Sequence, residues 1–275
     1  MSVEYVRIMI KTIVKVFSDF WGLHIVCGWT IALKWGAEVI LKFNAVLRSK
    51  NLQPVDLSLG TGPFLVTLRQ YKNAQFRICG PNAISGIREM YVRDVYLRGG
   101  WLKIPTNGVV LDLGANMGNF TNMALAASPD IRVVAVEPSK ALNKVFVNSV
   151  GLNPGFLSRT NLIRAFLGKS NPKIDGAIAA DDNYKGVPWI SEKELLKNIP
   201  IQSVEFLKCD IEGGEFSLLS SNSLLLKITR QIACEVHAMA GSVENFLSNI
   251  AASGFMLGPV QRDPDGTVTF LAKRL

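Results

Sequence analysis

The sequence Val109-Val110-Leu111-Asp112-Leu113-Gly114-Ala115-Asn116-Met117-Gly118-Asn119-Phe120-Thr121 decides the fold of this chain. A short apolar run reaches an acidic residue, breaks at a loop of small residues, and continues as an apolar helical pattern to Ala127. This succession predicts a buried strand, a tight turn and a helix, the unit that opens a nucleotide-type cofactor site. The two loop glycines permit positive φ, and Asn116 is the non-glycine residue that tolerates it best. We therefore expect the loop to offer bare amides to a small ligand.

The loop differs from the G-x-G-x-x-G loop that binds dinucleotides. It reads D-x-G-x-N-x-G, with Asp112 two residues before Gly114. A carboxylate at the mouth of the loop repels a diphosphate and attracts a ligand that carries positive charge. S-adenosylmethionine has a sulfonium and an ammonium group and no phosphate, so it is the ligand that we expect. The cofactor-binding residues of this loop are predicted to be Asp112, Gly114, Asn116 and Gly118.

A second acidic residue follows at the spacing that such a site requires. Residues 131–137 form another apolar run that ends at Glu137, 25 residues after Asp112. An acid at the tip of the second strand accepts hydrogen bonds from ribose hydroxyls, typically about 20 residues beyond the loop. Pro138 then ends the strand because proline has no amide to donate. Glu137 is therefore the fifth predicted cofactor-binding residue.

The composition is that of a globular protein in a reducing compartment. The 275 residues are 48% hydrophobic and 19% charged, which suits one large α/β domain with an extension. The four cysteines have no metal-type spacing, so we expect reduced, buried thiols and a cytoplasmic protein. The sequence has no alternation of aromatic and basic residues of the kind that indicates a nucleic-acid partner, so none is expected.

The net charge of +8 is concentrated in residues 1–50, which contain seven basic and three acidic residues. Arg7, Lys11 and Lys15 recur every four residues while apolar residues fill another face, so the sequence predicts a basic amphipathic helix. Such a helix either lies on an anionic membrane surface or packs its apolar face on the rest of the chain, and the sequence favours neither. We expect no signal peptide.

The chain divides by composition into a helical N-terminal extension, residues 1–60, and a larger domain, residues 61–275. Residues 51–63 are predicted to be a linker because they are rich in Pro, Gly and Ser. Strands and helices alternate in the larger domain, which predicts an α/β fold with a parallel sheet. The last two strands flank the turn residues 263–266 and predict an antiparallel hairpin at the sheet edge. Strands are predicted at 64–68, 75–79, 109–113, 131–137, 161–166, 204–209, 231–237, 255–261 and 267–273, and a loop at 168–188.

A second group of polar residues follows the predicted fourth and fifth core strands. Lys208, Asp210 and Glu212 alternate at the carboxyl end of one strand, where catalytic residues of such sheets lie. His237 ends the next strand and points toward Asp210 if the two strands are neighbours. Glu215 opens the following helix, and we assign it to capping because its charge suits the positive helix end.

Four motifs in a fixed order resemble the FkbM family of S-adenosylmethionine-dependent methyltransferases, and the resemblance extends from about residue 64 to the C-terminus. The motifs are residues 112–121, Glu137-Pro138, residues 207–215 and Glu235-Val236-His237. The resemblance implies a Rossmann-like, seven-stranded methyltransferase sheet and O-methylation of a hydroxyl on a small molecule or glycan. Cys209 and Gly214 depart from the residues that the family more often has.

By position, the predicted cofactor residues match the family's cofactor motifs, and a second set of four matches its second cluster. That second set is Lys208, Asp210, Glu212 and His237. In the expected mechanism, a methyl group moves in line to a substrate oxygen while a general base removes the hydroxyl proton. His237 is the first candidate for this base and Asp210 is the second.

Three alternatives stay open at this point. In the first, Asp210, Glu212 and His237 hold a divalent ion that acidifies the hydroxyl, although the main interpretation predicts no metal. In the second, the chain is a nicotinamide-dependent oxidoreductase, which requires the loop to bind a pyrophosphate. In the third, the chain is a non-catalytic scaffold that contacts a membrane surface through residues 1–50.

Overall fold

The computed structural model describes residues 3–49, 51–168, 180–199, 203–263 and 266–274. It divides the chain into two compact units, Met1–Val95 and Tyr96–Leu275. The strand pair at residues 64–78 falls in the first unit, whereas the sequence-based boundary after residue 60 assigned it to the larger domain. Most of the predicted loop at 168–188 and part of the turn at 263–266 lie outside the described residues.

The first unit combines five α-helices with one small sheet in its described part. Its two strands are antiparallel, as the sequence predicts. The predicted linker at 51–63 is wrong for part of its length, because Gln53–Ser58 is helical. Pro54 lies in the first turn, where its missing amide costs the helix nothing. The elements are α1 (Val3–Cys27), α2 (Trp29–Leu41), α3 (Phe43–Ser49), α4 (Gln53–Ser58), β1 (Phe64–Leu68), β2 (Ala74–Ile78) and α5 (Ala83–Ile87), which a π-helical turn (Arg88–Val92) follows.

A buried ion network holds the elements of the first unit together. Arg88 binds Asp56 with two parallel hydrogen bonds of 2.8 and 3.0 Å, and its remaining terminal nitrogen binds Asp19 at 2.6 Å. Arg93 adds a second ion pair to Asp19 at 2.7 Å. The indole of Trp35 donates to Asp56 at 2.8 Å. Because every charge in this network has partners, α1, α2, α4 and the π-helical turn are fixed to one another. Among the described residues, no helix has both the length and the apolar character to cross a bilayer.

The second unit is built on a mixed seven-stranded sheet. The strands are β3 (Asn107–Leu113), β4 (Asp130–Val136), β5 (Thr160–Ile163), β8 (Phe206–Cys209), β9 (Gln231–His237), β10 (Met256–Arg262) and β11 (Thr267–Lys273). Their order in the sheet is β10-β11-β9-β8-β3-β4-β5, and the five strands from β9 to β5 run parallel. The hairpin strand β11 is antiparallel to both β9 and β10, which confirms the predicted antiparallel edge.

The helices of the second unit follow the strands in the alternation that the sequence predicts. Six α-helices are described there: α6 (Asn119–Ala127), α7 (Lys140–Gly151), α8 (Glu192–Leu196), α9 (Glu215–Leu218), α10 (Leu224–Ile228) and α11 (Val243–Ala252). The predicted strand at 161–166 ends early, at Ile163. A separate two-stranded pair forms instead between β6 (Phe166–Leu167) and β7 (Trp189–Ile190), with the rings of Phe166 and Trp189 stacked at 4.9 Å.

The parallel part of the sheet brings the predicted motifs to one edge. The central strands are buried on both faces, and Cys209 and Cys234 are fully buried on neighbouring strands as free thiols. Since the carboxyl ends of parallel strands meet at the same edge, the glycine loop after β3, the acid after β4 and the segment after β8 lie together. His237 at the end of β9 joins them.

Candidate functional site

The glycine loop has the left-handed backbone that its residues predict. The φ angles of Gly114, Asn116 and Gly118 are 74°, 50° and 81°. Gly114 is also a point of close approach, because a Cβ built there would lie 1.7 Å from the carbonyl oxygen of Asp210. The loop therefore passes directly against the segment that follows β8, and only glycine fits at this position.

The amides of this loop are engaged within the protein, contrary to the prediction of bare amides. Gly114 and Ala115 both donate to the carbonyl of Val136, at 2.9 and 3.0 Å. The amide of Asn116 donates to Glu137 at 2.9 Å, and that of Gly118 donates to Ala115 at 2.8 Å. These four donors are consequently not free to surround a phosphate.

Asp112 lies beneath the loop and not at its mouth. Its side chain is completely buried, and Oδ2 accepts a hydrogen bond from Thr121 at 2.7 Å while Oδ1 has no hydrogen-bond partner. Burial raises the pKa of this carboxyl group, and the ammonium of Lys208, 3.6 Å from Oδ1, opposes that rise. Asp112 thus connects the loop to the following helix through Thr121 and to β8 through Lys208.

Lys208 ties the loop to the next strand. Its ammonium donates to the carbonyls of Leu113 and Gly114, at 3.2 and 2.6 Å, and lies 3.9 Å from a carboxylate oxygen of Asp210. Burial lowers the pKa of Lys208, but the neighbouring carboxylates of Asp210 and Asp112 outweigh it and raise that pKa. A fixed cation with these bonds positions the loop.

Glu137 lies at the tip of β4 with both carboxylate oxygens engaged. One oxygen accepts from the amide of Asn116 and the other from the amide of Ser139, each at 2.9 Å. Burial raises the pKa of Glu137, whereas these two amides lower it. Each oxygen keeps one lone pair, so the carboxylate can still accept bonds from ligand hydroxyls.

Sequence reasoning missed an aromatic pair beside Glu137. The carbonyl of Asn183 accepts a 3.0 Å bond from the amide of Lys140, which holds its segment at the tip of β4. The next residue, Tyr184, has its ring 5.6 Å from that of Phe166. Burial, then the charges of Glu137 and other acids including Glu212, raise the pKa of Tyr184. Its hydroxyl therefore lies in the field of both acidic groups of the site. The only signal in the sequence was the polar cluster 181–183, which has no characteristic spacing.

A second acidic group surrounds His237. Glu215 is fully buried, and its Oε1 accepts from the amide of Ile211 at 2.9 Å and lies 3.2 Å from Nδ1 of His237. Glu212 reaches the other ring nitrogen, Nε2, at 3.3 Å. Glu215 begins α9 as predicted, but its assignment to capping alone omitted this contact with the histidine. The sequence could not reveal it, because the contact depends on β8 and β9 being neighbours.

The two carboxylates make His237 a cation at neutral pH. The hydrogen bond with Glu215 is the largest effect and raises the pKa of His237 to about 9, while burial opposes it. A protonated imidazole donates from both nitrogens and accepts no proton. The neighbouring carboxylate of Asp210 is 28% exposed and lies 3.9 Å from the ammonium of Lys208.

The raised pKa of His237 predicts a loss of stability at alkaline pH. Because the folded pKa of about 9 exceeds the ordinary value of 6.5, this contribution is complete below pH 6.5 and is lost as the pH rises through 9. We expect the free energy of unfolding to fall across this window in the wild type and to change less in His237→Gln. Urea denaturation at several pH values measures it.

An NMR titration checks the same point directly. The chain has two histidines, so His24→Gln assigns the imidazole resonance of His237 without ambiguity. We expect its midpoint near pH 9 in the wild type and a lower one in Glu215→Gln. A midpoint near 6.5 in the wild type contradicts the ion-pair description.

Within the part of the chain that the structure describes, one group of side chains has the arrangement of a metal site. Asp210, Glu215 and His237 offer ligand atoms that all lie within 4.8 Å of one another. Glu215 takes the place that the sequence-based alternative gave to Glu212, whose side chain is 84% exposed. Both nitrogens of His237 are already paired with carboxylates, so an ion would have to displace the ring proton.

The strand order, the glycine loop after β3 and the acids at neighbouring strand tips define a Rossmann-like fold of the methyltransferase class. The model of the family described as "Methyltransferase FkbM domain" matches residues 112–256, more than half of the chain. The chain therefore belongs to the FkbM methyltransferase family, as its motifs predict. The match begins at Asp112 and includes Glu137, Asp210 and His237.

Individual relatives are distant. The AMB antimetabolite synthetase AmbE of Pseudomonas aeruginosa is 25% identical over 220 residues, covering 61% of this chain and 10% of that protein. The chain thus spans a tenth of the length of this curated relative. Magnesium protoporphyrin IX methyltransferase (ChlM) from Synechocystis PCC 6803, solved with bound SAM, is 12% identical with a TM-score of 0.43, covering 70% of this chain and 83% of that one. Fibrillarin, a pre-rRNA processing protein of Methanococcus jannaschii, is 12% identical with a TM-score of 0.45, covering 79% and 92%.

Proposed function

We propose that this protein is an S-adenosylmethionine-dependent O-methyltransferase whose acceptor is a hydroxyl of a small molecule or glycan. One observation carries the choice of cofactor: four amides of the glycine loop are already bonded within the protein, so they are not free to hold the pyrophosphate of a dinucleotide. S-adenosylmethionine has no phosphate and therefore suits such a loop. The cofactor supplies the methyl group on a sulfonium leaving group.

The glycine loop, Glu137 and the aromatic pair bind the cofactor in this proposal. Glu137 accepts hydrogen bonds from the ribose hydroxyls with the lone pairs that its two amide donors leave free. The rings of Phe166 and Tyr184 provide an aromatic surface for the adenine. Gly114, Asn116 and Gly118 shape the loop, and Lys208 holds it by two carbonyls.

Asp210 takes the hydroxyl proton of the acceptor in the proposed mechanism. It lies at the strand tip beside the loop, and it is partly exposed toward solvent where an acceptor can enter. His237, as an imidazolium between Glu212 and Glu215, orders the acidic segment around Asp210. Holding an acceptor oxygen in line at attack distance contributes the larger part of the rate, about 7–11 kcal/mol for well-aligned groups.

We expect Glu137→Gln to weaken binding of S-adenosylhomocysteine, because a neutral amide accepts poorly from two hydroxyls. Hydrogen bonds to a charged group contribute about 1.5–3 kcal/mol, which corresponds to about a tenfold to hundredfold loss of affinity. Isothermal titration calorimetry measures the loss. Glu205→Gln is the matched control, since Glu205 precedes β8 at the opposite edge of the sheet, where it pairs with Arg230. Wild-type protein that binds NAD and gives no heat with S-adenosylhomocysteine contradicts the proposal.

The acceptor and the base are tested together. Incubation with labelled cofactor and fractionated small molecules, followed by identification of the labelled product, identifies the acceptor. We expect Asp210→Asn to lower the rate of methyl transfer by about 10²–10⁴-fold while S-adenosylhomocysteine still binds. A scaffold without catalysis predicts instead that this substitution has no effect and that removal of residues 1–50 abolishes function.

A further inference from the structure

The first two helices expose large apolar side chains that the rest of the first unit does not need for its core. We call this surface the exposed hairpin face, and its members are between 47% and 78% exposed. They are Ile10, Ile13, Val14, Phe17 and Trp21 on α1, and Trp29, Leu33, Ile40 and Leu41 on α2. On α1 their spacing of three and four residues places them on one side of the helix.

The two helices also have a separate, buried apolar face. Leu23, Ala32 and Trp35 are completely buried, and Val26 and Val39 are nearly so. The core of the unit therefore uses one side of the hairpin, and the exposed hairpin face is a second apolar side. A helix that is apolar on both sides is typical of burial on both sides. Soluble monomers rarely expose so many large apolar side chains together.

The exposed residues of α1 and α2 meet where the two helices join. α2 returns along α1, since Gly36 lies so close to the ring of Phe20 that an added Cβ would be 3.0 Å from it. Trp21 and Trp29, each about half exposed, meet edge to face with ring centroids 6.1 Å apart. Tryptophan is the side chain that favours the boundary between lipid and water, because one part of it is apolar and the indole nitrogen is polar.

The exposed charges on these helices are basic. Among the described side chains of α1 and α2, the exposed charged residues are Lys15 and Lys34. The acid Asp19 is 2% exposed and is neutralised by Arg88 and Arg93. Glu38 is paired with Lys42 at 3.0 Å. The side chains of Glu4, Arg7 and Lys11 lie outside the described ones, and residues 1–50 have an excess of four basic residues.

We propose that the exposed hairpin face binds the surface of a bilayer that contains anionic lipid. The apolar side chains enter the boundary between headgroups and acyl chains while the lysines remain with the anionic headgroups. A second copy of the chain is a poorer occupant, because pairing two such faces brings the basic excess of both copies together. This inference is independent of the methyl-transfer chemistry.

Vesicle flotation of the full chain tests the proposal, with neutral phosphatidylcholine vesicles compared with vesicles that also contain phosphatidylglycerol. We expect binding to the mixed vesicles, with a blue shift of tryptophan fluorescence, and weak binding to the neutral ones. The double variant Phe17→Ser/Leu33→Ser should lower partitioning at least about tenfold. Leu65→Ser, at an apolar residue of β1 in the same unit that is 45% exposed, is the control and should bind like the wild type.

The charge contribution has its own variant. Lys15→Ala/Lys34→Ala should lower binding to the anionic vesicles by about fivefold per charge and leave the weak binding to neutral vesicles unchanged. Circular dichroism melts and S-adenosylhomocysteine titrations on every variant separate loss of fold or cofactor binding from loss of lipid binding. Absence of vesicle binding overturns the proposal, as does equal binding to both vesicle types. Light-scattering dimers that Phe17→Ser/Leu33→Ser dissociates would assign the face to a second copy instead.

Discussion

Replacing Gly114 by alanine should be among the most damaging single substitutions in this protein. The new Cβ would lie 1.7 Å from the carbonyl oxygen of Asp210, and that backbone is itself fixed by a 3.0 Å hydrogen bond from the amide of Asp210 to Leu113. Neither strand can yield without breaking the pairing of β3 with β8. Overpacking together with left-handed backbone strain should cost about 3–5 kcal/mol of unfolding free energy. The displaced loop should also lose S-adenosylhomocysteine binding.

Gly155 provides the matched control for this substitution. Its φ of 75° is within 1° of that of Gly114, but nothing lies within 4 Å of a Cβ added at Gly155. Gly155→Ala therefore has the same backbone strain without the collision and should cost about 1–2 kcal/mol. Urea denaturation of both variants isolates the effect of close approach. If the two variants lose the same stability, the loop is not held against Asp210 as described.

The sequence predicts the sheet well because its signals there are local. The runs 109–113, 131–137 and 231–237 are short and mainly apolar, so each specifies a strand by itself. The terminal hairpin is specified by its turn composition in the same way. These elements need no knowledge of their neighbours, and the structure places them within one or two residues of the prediction.

The features that sequence reasoning missed all depend on contacts between elements distant in the chain. The loop amides are occupied because β4 brings Val136 and Glu137 to them. Asp112 is enclosed because Lys208 and Thr121 close over it from other elements. The raised pKa of His237 requires Glu215 from across the β8–β9 pairing. Residue types at the strand tips could be predicted, but not which partner each one finds.

The order of the two candidate bases follows from the same kind of contact. From residue type alone, histidine is the natural base near neutral pH. Two carboxylates at 3.2 and 3.3 Å change its role, because they stabilise the protonated ring. We therefore propose Asp210, the second candidate from the sequence, as the group that accepts the proton, and His237 as a positioning residue.

Lys208→Met should be the second severe substitution, because it leaves the carboxylate of Asp112 buried without a cation. Removing one partner of a buried ion pair typically costs about 3–5 kcal/mol. The loss should be largest near neutral pH and smaller in mild acid, since burial already raises the pKa of Asp112 and protonation there relieves the unpaired charge. Urea denaturation at pH 5 and pH 7 measures both effects.

The double variant Asp112→Asn/Lys208→Met decides whether the charge pair or the lysine's carbonyl bonds matter more. If the unpaired carboxylate is the cause, the double variant should be more stable than Lys208→Met alone, and its stability should no longer depend on mild acid. Together with the single variant Asp112→Asn, the cycle should give an interaction energy of about 1–3 kcal/mol. The two carbonyls of Leu113 and Gly114 would still lack their donor, so S-adenosylhomocysteine binding should stay impaired. If the stability losses of the two single variants add up to that of the double variant, Lys208 acts through the loop carbonyls and its charge does not stabilise the buried carboxylate of Asp112.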